Sequence, residues 1–342
     1  MLQELKLFET EEYRILRVTA ADYAARVLAP VAELLDVEAI ALTDTLSKAS
    51  ELGILRALAT EEVGGGGMDL YAFCAALEEM AVESAGAAAA LLIHNAAMLP
   101  AIRAGIDLAQ VYAAFPLALG YPGKVTLAGD SLNGHIPWAF NATIAPLLTV
   151  LLPDGAALVE TAQDGVTIEP LSSQLGLRAA AAGTIRLAGA QPLTVMASDA
   201  SVTWEMERML HLGFAAISTG IARKGFTTAH DYACQRYQGG DLIIRHQQMR
   251  LFLAEMASGI EMSRAMLRSA CETDSLASAI ACRLEATERA LTSATNAVQV
   301  HGGVGYMEDY GMERLMRDSS YCRIYPRSNQ ELQLELLDLM EG

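Results

Sequence analysis

From residue 11 onward apolar residues return every three or four positions. YRILRVTAADYAARVLAPVAELL (13–35) keeps this spacing throughout, which is the period of one helical face. TDTLSKASELGILRAL (43–58) repeats it, with Thr43 or Asp44 as N-cap. Four glycines, Gly64 to Gly67, cannot be helix interior and end that run. DLYAFCAALEEMAVESAG (69–86) restarts the period with Asp69 as N-cap, and AAAALLIHNAAMLPAIRAG (87–105) extends it. From about residue 115 the texture changes. Short Val/Thr/Leu/Ile runs alternate with turn residues: KVTLAGDSLNG, LLTVLLPDG, AALVETAQDG, VTIEP, GTIRLAGA. Pro116, Pro122, Pro137, Pro146, Pro153, Pro170 and Pro192 fall in this stretch, and such runs predict a small antiparallel sheet domain. From Thr203 the helical period returns. HQQMRLFLAEMASGIEMSRAMLRSA puts Met249, Leu253, Met256, Ile260 and Leu267 on one stripe. SLASAIACRLEATERALTSATNAVQV does likewise, as in a four-helix bundle.

The predicted class is therefore α+β, mainly α. A helical domain (1–113) precedes a middle β domain (114–199) and a C-terminal helical bundle (200–342). A length of 342 residues and a 52% hydrophobic fraction allow several cores. No uninterrupted apolar run reaches the ~20 residues of a spanning helix. The acidic start MLQELKLFETEEYR lacks the basic and apolar segments of a signal peptide, so the expected location is cytoplasmic. Cys74, Cys234, Cys271, Cys282 and Cys322 show neither CxxC spacing nor an even count, which predicts reduced thiols and no metal centre. A net charge of −17 disfavours nucleic acid and anionic membranes as partners. It also leaves any polyphosphate ligand to a few local cations and backbone N–H groups.

Three segments carry chemistry: ELGILRALATEEVGGGGMDLYAFCAALEEMA (51–81), YACQRYQGGDLIIRHQQMRLFLAEMASGIEMSRAML (232–267) and AVQVHGGVGYMEDYGMERLMRDSSYCRIY (297–325). Together they resemble the acyl-CoA dehydrogenase family, whose domain order is the one read above. The resemblance spans nearly the whole chain. It implies FAD as cofactor and an acyl-CoA thioester as substrate, oxidised to the trans-2-enoyl thioester with a Glu as base. It also implies an electron-transfer flavoprotein as redox partner and a tetrameric assembly.

In that family the bundle of one subunit reaches its neighbour's FAD. Arg236 matches the Arg of the Arg-x-x-Phe-Gly loop that grips the pyrophosphate, a task suited to a guanidinium fork, although Gly239 replaces the Phe. His246 and Gln247 match a pair that packs on FAD. Gln299, Gly302 and Gly303 match a turn in which glycine admits close backbone approach; a helix end and tight turn would also use these glycines. In LNGHIPWAFNA (132–142), Trp138 takes the aromatic position by the flavin, while Phe140 replaces the Thr that bonds the ring. GYPGKVTLAGDS keeps Pro122 and Gly123 of the flavin-wrapping Thr-Glu-Pro-Gly loop and little else. QLGLRAAAAGTIRLAG matches a scaffold segment.

At the family's Ile-Tyr-Glu-Gly-Thr site the chain has Ile324, Tyr325, Pro326, Arg327 and Ser328. Proline cannot act as a base, and the long cation at Arg327 can close the cleft. Some members place the Glu on the first bundle helix. Counting back from Tyr232 reaches Leu210, with Glu207 one turn earlier; the plainer reading of Glu207 is a solvated helix-start carboxylate. Glu331 reads as a helix N-terminal stabiliser. No catalytic residue is assigned. The pattern of loss predicts a FAD-completing, non-catalytic subunit of a heteromeric dehydrogenase, paired with an intact homologue as in α2β2 enzymes of bacterial steroid side-chain degradation. The alternatives are an active homo-oligomer with Glu207 as relocated base, a flavin oxygenase, and a structural or regulatory homologue.

Overall fold

The computed structural model describes residues 10–38, 42–63, 65–106, 116–121, 123–171, 173–197 and 200–341. Gly64, Pro122 and the domain boundary at 113/114 lie outside the described residues, as does residue 199 of the boundary at 199/200. In the N-terminal part, α1 (Glu11–Tyr23) starts at Thr10, whose hydroxyl accepts from Tyr13 N–H at 3.4 Å, with Glu11 and Glu12 in the first turn. It continues through a π turn and a 3₁₀ turn into α2 (Ala32–Val37), followed by α3 (Leu42–Ser47). Because α3 already includes Thr43 and Asp44, neither is its N-cap. Asp69 does cap α4 (Leu70–Ala81), accepting from Ala72 N–H at 2.7 Å. The glycine run folds back on residues 56–60: a Cβ on Gly65 would lie 2.0 Å from the Ala59 carbonyl oxygen.

Helix α5 (Ala85–Arg103) is long and apolar enough to cross a membrane by length and composition, correcting the expectation that no segment qualifies. It is instead the core helix, nearly all of it buried. Ala-rich α4 and α5 let α6 (Ala200–Gln235, 36 residues) approach closely; a Cβ on Gly220 would meet the Glu78 carbonyl oxygen at 2.5 Å. The fully buried Glu78 is held by three cations from three helices. Arg17 of α1 approaches at 3.2 Å, Arg223 of α6 at 2.8 Å and Arg264 of α7 at 2.8 Å. These guanidinium groups hold its carboxyl far below the usual carboxylate range despite burial. The bundle is completed by α7 (Gln247–Glu272), α8 (Leu276–His301), α9 (Met312–Cys322) and α10 (Asn329–Glu341).

The middle domain packs two four-stranded sheets around a core that includes Ile136, Leu148, Val150, Val159 and Ile185. One sheet has the order β1 (Leu117–Gly120), β4 (Leu147–Leu152), β5 (Gly155–Glu160), β8 (Thr194–Ala197). The other runs β2 (Lys124–Ala128), β3 (Ser131–Ala139), β7 (Gly183–Ala190), β6 (Val166–Pro170). Pairing is antiparallel except between β1 and β4, which run parallel with Leu117 opposite Leu147. Two contacts seat this domain on the helices. Buried Asn141, at φ 61°, donates to the Ala90 and Leu117 carbonyls at 2.9 Å each. Leu177 N–H donates to Asp318 of α9 at 2.7 Å, with Arg317 of the same helix donating to the Leu175 carbonyl at 2.9 Å.

Candidate functional site

At one end of the bundle, α6 finishes at Gln235 and a tight hairpin follows, β9 (Tyr237–Gln238) and β10 (Asp241–Leu242), with Gly239 and Gly240 at positive φ. His246 Nε2–H donates to the Gln238 carbonyl at 2.9 Å, so this residue pins the hairpin to the start of α7, where Gln247 is exposed. Arg236 is exposed, and its guanidinium has no hydrogen-bond or ion-pair partner among the described residues. Exposed Gln299 lies in the last turn of α8, and Gly302 ends that helix at φ 64°, ψ −141°. A Cβ on Gly302 or Gly303 would meet nothing within 4 Å, whereas one on Gly305 would sit 2.6 Å from the Val298 carbonyl oxygen. Gly302 is thus required by its backbone angle, and the space above both residues is open. The two helix ends are joined by Tyr232 stacked on His301 at 4.4 Å, with Tyr310 edge-on to Tyr232 at 5.8 Å. The structure therefore brings Arg236, His246, Gln247, Gln299, Gly302 and Gly303 to one bundle end. Exposed Tyr237, Val304, Tyr306 and Met307 belong to the same hairpin and turn. Several large exposed apolar side chains beside a free cation are the composition of an interface.

The second region is opposite in character. Trp138 does not stand beside an open slot. It packs edge-on against Tyr321 at 4.8 Å and Tyr325 at 5.4 Å. Phe140 is fully buried and stacks on Tyr325 at 4.1 Å, with Phe214 closing the cluster at 5.8 Å. The loop after α9 buries Pro326 behind a cis Tyr325–Pro326 peptide bond. Its carbonyls converge on Arg283 of α8. That fully buried guanidinium donates to the oxygens of Cys322 (3.3 Å), Tyr325 (2.6 Å) and Arg327 (2.8 Å), and to His211 Nδ1 (3.1 Å). Burial pulls Arg283 down to about 10 and pushes His211 well below the usual imidazole range. A flavin ring therefore does not fit here as the chain stands: aromatic side chains and a braced loop fill the space.

Arg327 pairs with Glu335 of α10 at 2.5 Å and lies close enough to Tyr121 and Glu207 to interact with both. Glu331 behaves as read: its carboxylate accepts from Ser328 N–H and Oγ–H at 2.8 Å each, a reciprocal cap for α10. Leu210 is buried in the core. Glu207 is not a solvated helix-start carboxylate. It lies two turns into α6, half-buried, and accepts from the Tyr121 hydroxyl at 2.5 Å. Burial pushes its carboxyl up, and the Tyr121 hydrogen bond opposes that shift. Tyr121 also lines an open cleft of about 840 Å³ between the sheets and the start of α6, with Lys124, Thr126, Asn133, Leu151 and Thr203. Among the described residues no cluster of His, Cys, Asp and Glu could hold a metal. Arg283, Asn141 and His301 escaped the sequence reading, since each looks like an ordinary helix or strand residue until its burial is known.

Comparison with known proteins adds to this geometry. The family model for the acyl-CoA dehydrogenase N-terminal domain matches residues 10–110, and that for the C-terminal domain matches residues 200–337. The short-chain specific acyl-CoA dehydrogenase, mitochondrial, of Rattus norvegicus is 28% identical over 96% of this chain and 89% of its own length. Butyryl-CoA dehydrogenase from Megasphaera elsdenii superposes with a TM-score of 0.89 at 22% identity, covering 99% of this chain and 100% of that one. PigA with FAD and proline superposes at 0.88 with 18% identity, covering 98% and 99%; these two likenesses are of fold.

Proposed function

The chain belongs to the acyl-CoA dehydrogenase family, and from that premise we propose that it is the FAD-completing subunit of a heteromeric acyl-CoA dehydrogenase. The observation that carries this reading is the contrast within one molecule. The outward bundle end is open and its Arg236 has no partner among the described residues, while the inward ring slot is filled by Phe140 stacked on Tyr325 at 4.1 Å. FAD, where bound, supplies the hydride acceptor for α,β-desaturation of an acyl-CoA thioester. This chain's part is to hold the nucleotide of the neighbour's FAD. Arg236 is placed to hold the pyrophosphate as a fork, and Gly302 and Gly303 admit the nucleotide against the backbone. His246 keeps the hairpin that carries Arg236 in place, and Gln247 and Gln299 offer amide groups beside it. Trp138 stays within this chain's own aromatic cluster. The partner is a homologous intact subunit, the assembly a cytoplasmic α2β2 tetramer, its electron acceptor an electron-transfer flavoprotein, and steroid side-chain degradation a fitting setting.

The test is purification alone and after co-expression with an intact homologue, with flavin counted per assembly. The expected result is no stoichiometric flavin on the isolated chain and one FAD per unlike pair. Tightly bound FAD with dehydrogenase turnover in the isolated chain would sink the reading. A second reading is favoured by Glu207, a carboxyl with raised proton affinity that is bonded to Tyr121, a residue lining the 840 Å³ cleft. If it were a relocated base, Glu207→Gln would abolish acceptor reduction by the isolated chain.

A further inference from the structure

Three of the five cysteines meet at one place between α4, α7 and α8. Cys74 of α4 and Cys282 of α8 are buried, and Cys271 in the last turn of α7 is half-buried. All three are free thiols. The Cys74 S–H donates to the Cys271 sulfur, and Cys282 stands close enough to interact with both. That hydrogen bond and burial push the Cys74 thiol well up, and burial does the same to Cys282. Contacts on both sides hold the first pair in place. Arg264 of α7 pairs with Glu78 at 2.8 Å, and Arg268 lies over the Tyr71 ring at 5.6 Å. The helix α7 is thus fastened to α4 about one turn before and one turn after Cys74. Arg208 of α6 donates to the carbonyls of Ala270 (3.2 Å), Cys271 (2.8 Å) and Thr273 (2.9 Å), which fixes the backbone that carries the half-buried thiol. The three thiols do not form a metal centre, and the function proposed above uses none of them.

Two hydrogen-bonded thiols of unequal access are the arrangement of an attacking and a resolving cysteine. Solvent reaches Cys271 and not Cys74, so an oxidant has to be small and has to act at Cys271 first. A hydroperoxide meets both demands. We infer that Cys271 and Cys74 are an oxidation site, which a small hydroperoxide converts to a disulfide that straps α4 of the N-terminal helices to α7 of the bundle. In the first step the Cys271 sulfur attacks the O–O bond of hydrogen peroxide. One oxygen stays as the Cys271 sulfenic acid, and the other leaves as water with the thiol proton. In the second step the Cys74 sulfur attacks the Cys271 sulfur. The S–S bond forms, the S–O bond breaks, and the hydroxyl leaves as water with the Cys74 proton. The two thiols lose two protons and two electrons, and the peroxide is reduced to two waters. Since Cys74 S–H already points at the Cys271 sulfur, the two atoms need only close from hydrogen-bond distance to the ~2 Å of an S–S bond.

The test uses the isolated full chain and needs neither partner nor FAD, so it stands apart from the subunit role. Hydrogen peroxide is added to the folded chain, remaining thiols are blocked, and peptides are mapped by mass. The expected product is a linked Cys74–Cys271 peptide lighter by two hydrogens, which dithiothreitol should reverse. Because the bond joins residues 197 positions apart, the Tm should rise by about 3–8 °C on oxidation. In Cys74→Ser, Cys271 should stop at the sulfenic acid and be trapped by dimedone. In Cys271→Ser, Cys74 should stay a thiol under the same peroxide. Exposed Cys234 reports that the oxidant is active in every sample. Cys74 left as a thiol in peroxide-treated wild type overturns the inference. So does a link from either residue to Cys282, or a Cys74 that oxidises when Cys271 is absent. A link that forms only after denaturation, or one that leaves the Tm unchanged, shows that no strap is built into the fold and overturns it as well.

Discussion

Two regions of this molecule differ in how their space is filled. Around Tyr325 the chain fills its own space: Arg283 donates to the carbonyls of Cys322, Tyr325 and Arg327, and Phe140 stacks on Tyr325, while Trp138 Nε1, Tyr321 Oη, Tyr325 Oη and His211 Nε2 have no hydrogen-bond partner among the described residues. At the end of α6 and α8 it does not: among the described residues Arg236 has no partner and His301 Nε2 no donor, and a Cβ on Gly302 or Gly303 would meet nothing within 4 Å. Rings packed on one another and a loop braced by a buried cation indicate a frame that is finished on folding. An exposed cation beside exposed aromatics indicates a surface finished by something else. The contrast also separates two kinds of mutational effect, on stability at the closed region and on binding at the open one.

The largest effect is expected at the closed region. Arg283→Ala removes a buried cation and leaves the Cys322, Tyr325 and Arg327 carbonyls without their donor. The isolated chain should lose about 3–5 kcal/mol of unfolding free energy, read from denaturant curves. A loss below about 1 kcal/mol would show that the loop is not braced this way. Arg236→Ala should do the reverse. An exposed, unpaired cation contributes little to folding, so stability should stay within about 0.5 kcal/mol. FAD binding by the assembly should fall by about 1.5–3 kcal/mol, one charge-assisted contact, measured by flavin fluorescence. Equal losses from both variants in both assays would erase the distinction between the regions.

The third prediction concerns pH. Asp318 is buried and accepts from Leu177 N–H, and burial pushes its carboxyl up to about 6. Its folded value lies above an unfolded value of about 3.9. The stability linked to its proton is therefore complete below about pH 4 and is lost as pH rises through about 6. Asp318→Asn keeps an amide oxygen for Leu177 and needs no ionisation. It should flatten the stability profile between about pH 4 and 6 and raise stability at neutral pH by about 1–3 kcal/mol. A profile that keeps its slope would place the titration elsewhere. FAD retention at the open region should show no such dependence.

Much of the fold was legible because helical periodicity and turn residues are local signals: Asp69, the three-part domain order and the cap at Glu331 all rest on residues close in sequence. What stayed hidden depends on contacts across the chain. Thr43 and Asp44 look like caps, but α3 starts before them. The composition of α5 reads the same whether lipid or protein surrounds it. The parallel pairing of β1 with β4 joins residues thirty positions apart, which alternation cannot encode. At the site, Arg236, Gln299 and the glycine turn were visible through spacing. The closure of the ring slot was only half visible: Phe140 and Pro326 flagged it, yet Arg283 resembles any helix-surface cation, and Glu207 appeared solvated until Tyr121 was placed against it.

The smallest effect is also the sharpest on the question of a base. Glu331 lies five residues past Pro326, and its carboxylate is engaged by Ser328 N–H and Oγ–H. Those hydrogen bonds hold it below the usual carboxylate range. A base needs proton affinity and reach toward substrate, whereas a cap needs its proton gone. Because the folded value is depressed, this contribution is present above the unfolded carboxyl's value of about 4.3 and fades as pH falls through the lower folded one. Glu331→Ala should then cost the isolated chain about 0.5–1 kcal/mol at neutral pH, and nothing once the medium is acid enough to protonate the cap. Turnover by the assembled enzyme should be unchanged. If Glu331→Ala instead stops turnover with no change in stability, a carboxylate of this chain takes part in the chemistry, and the closed region is not a finished frame but a working one.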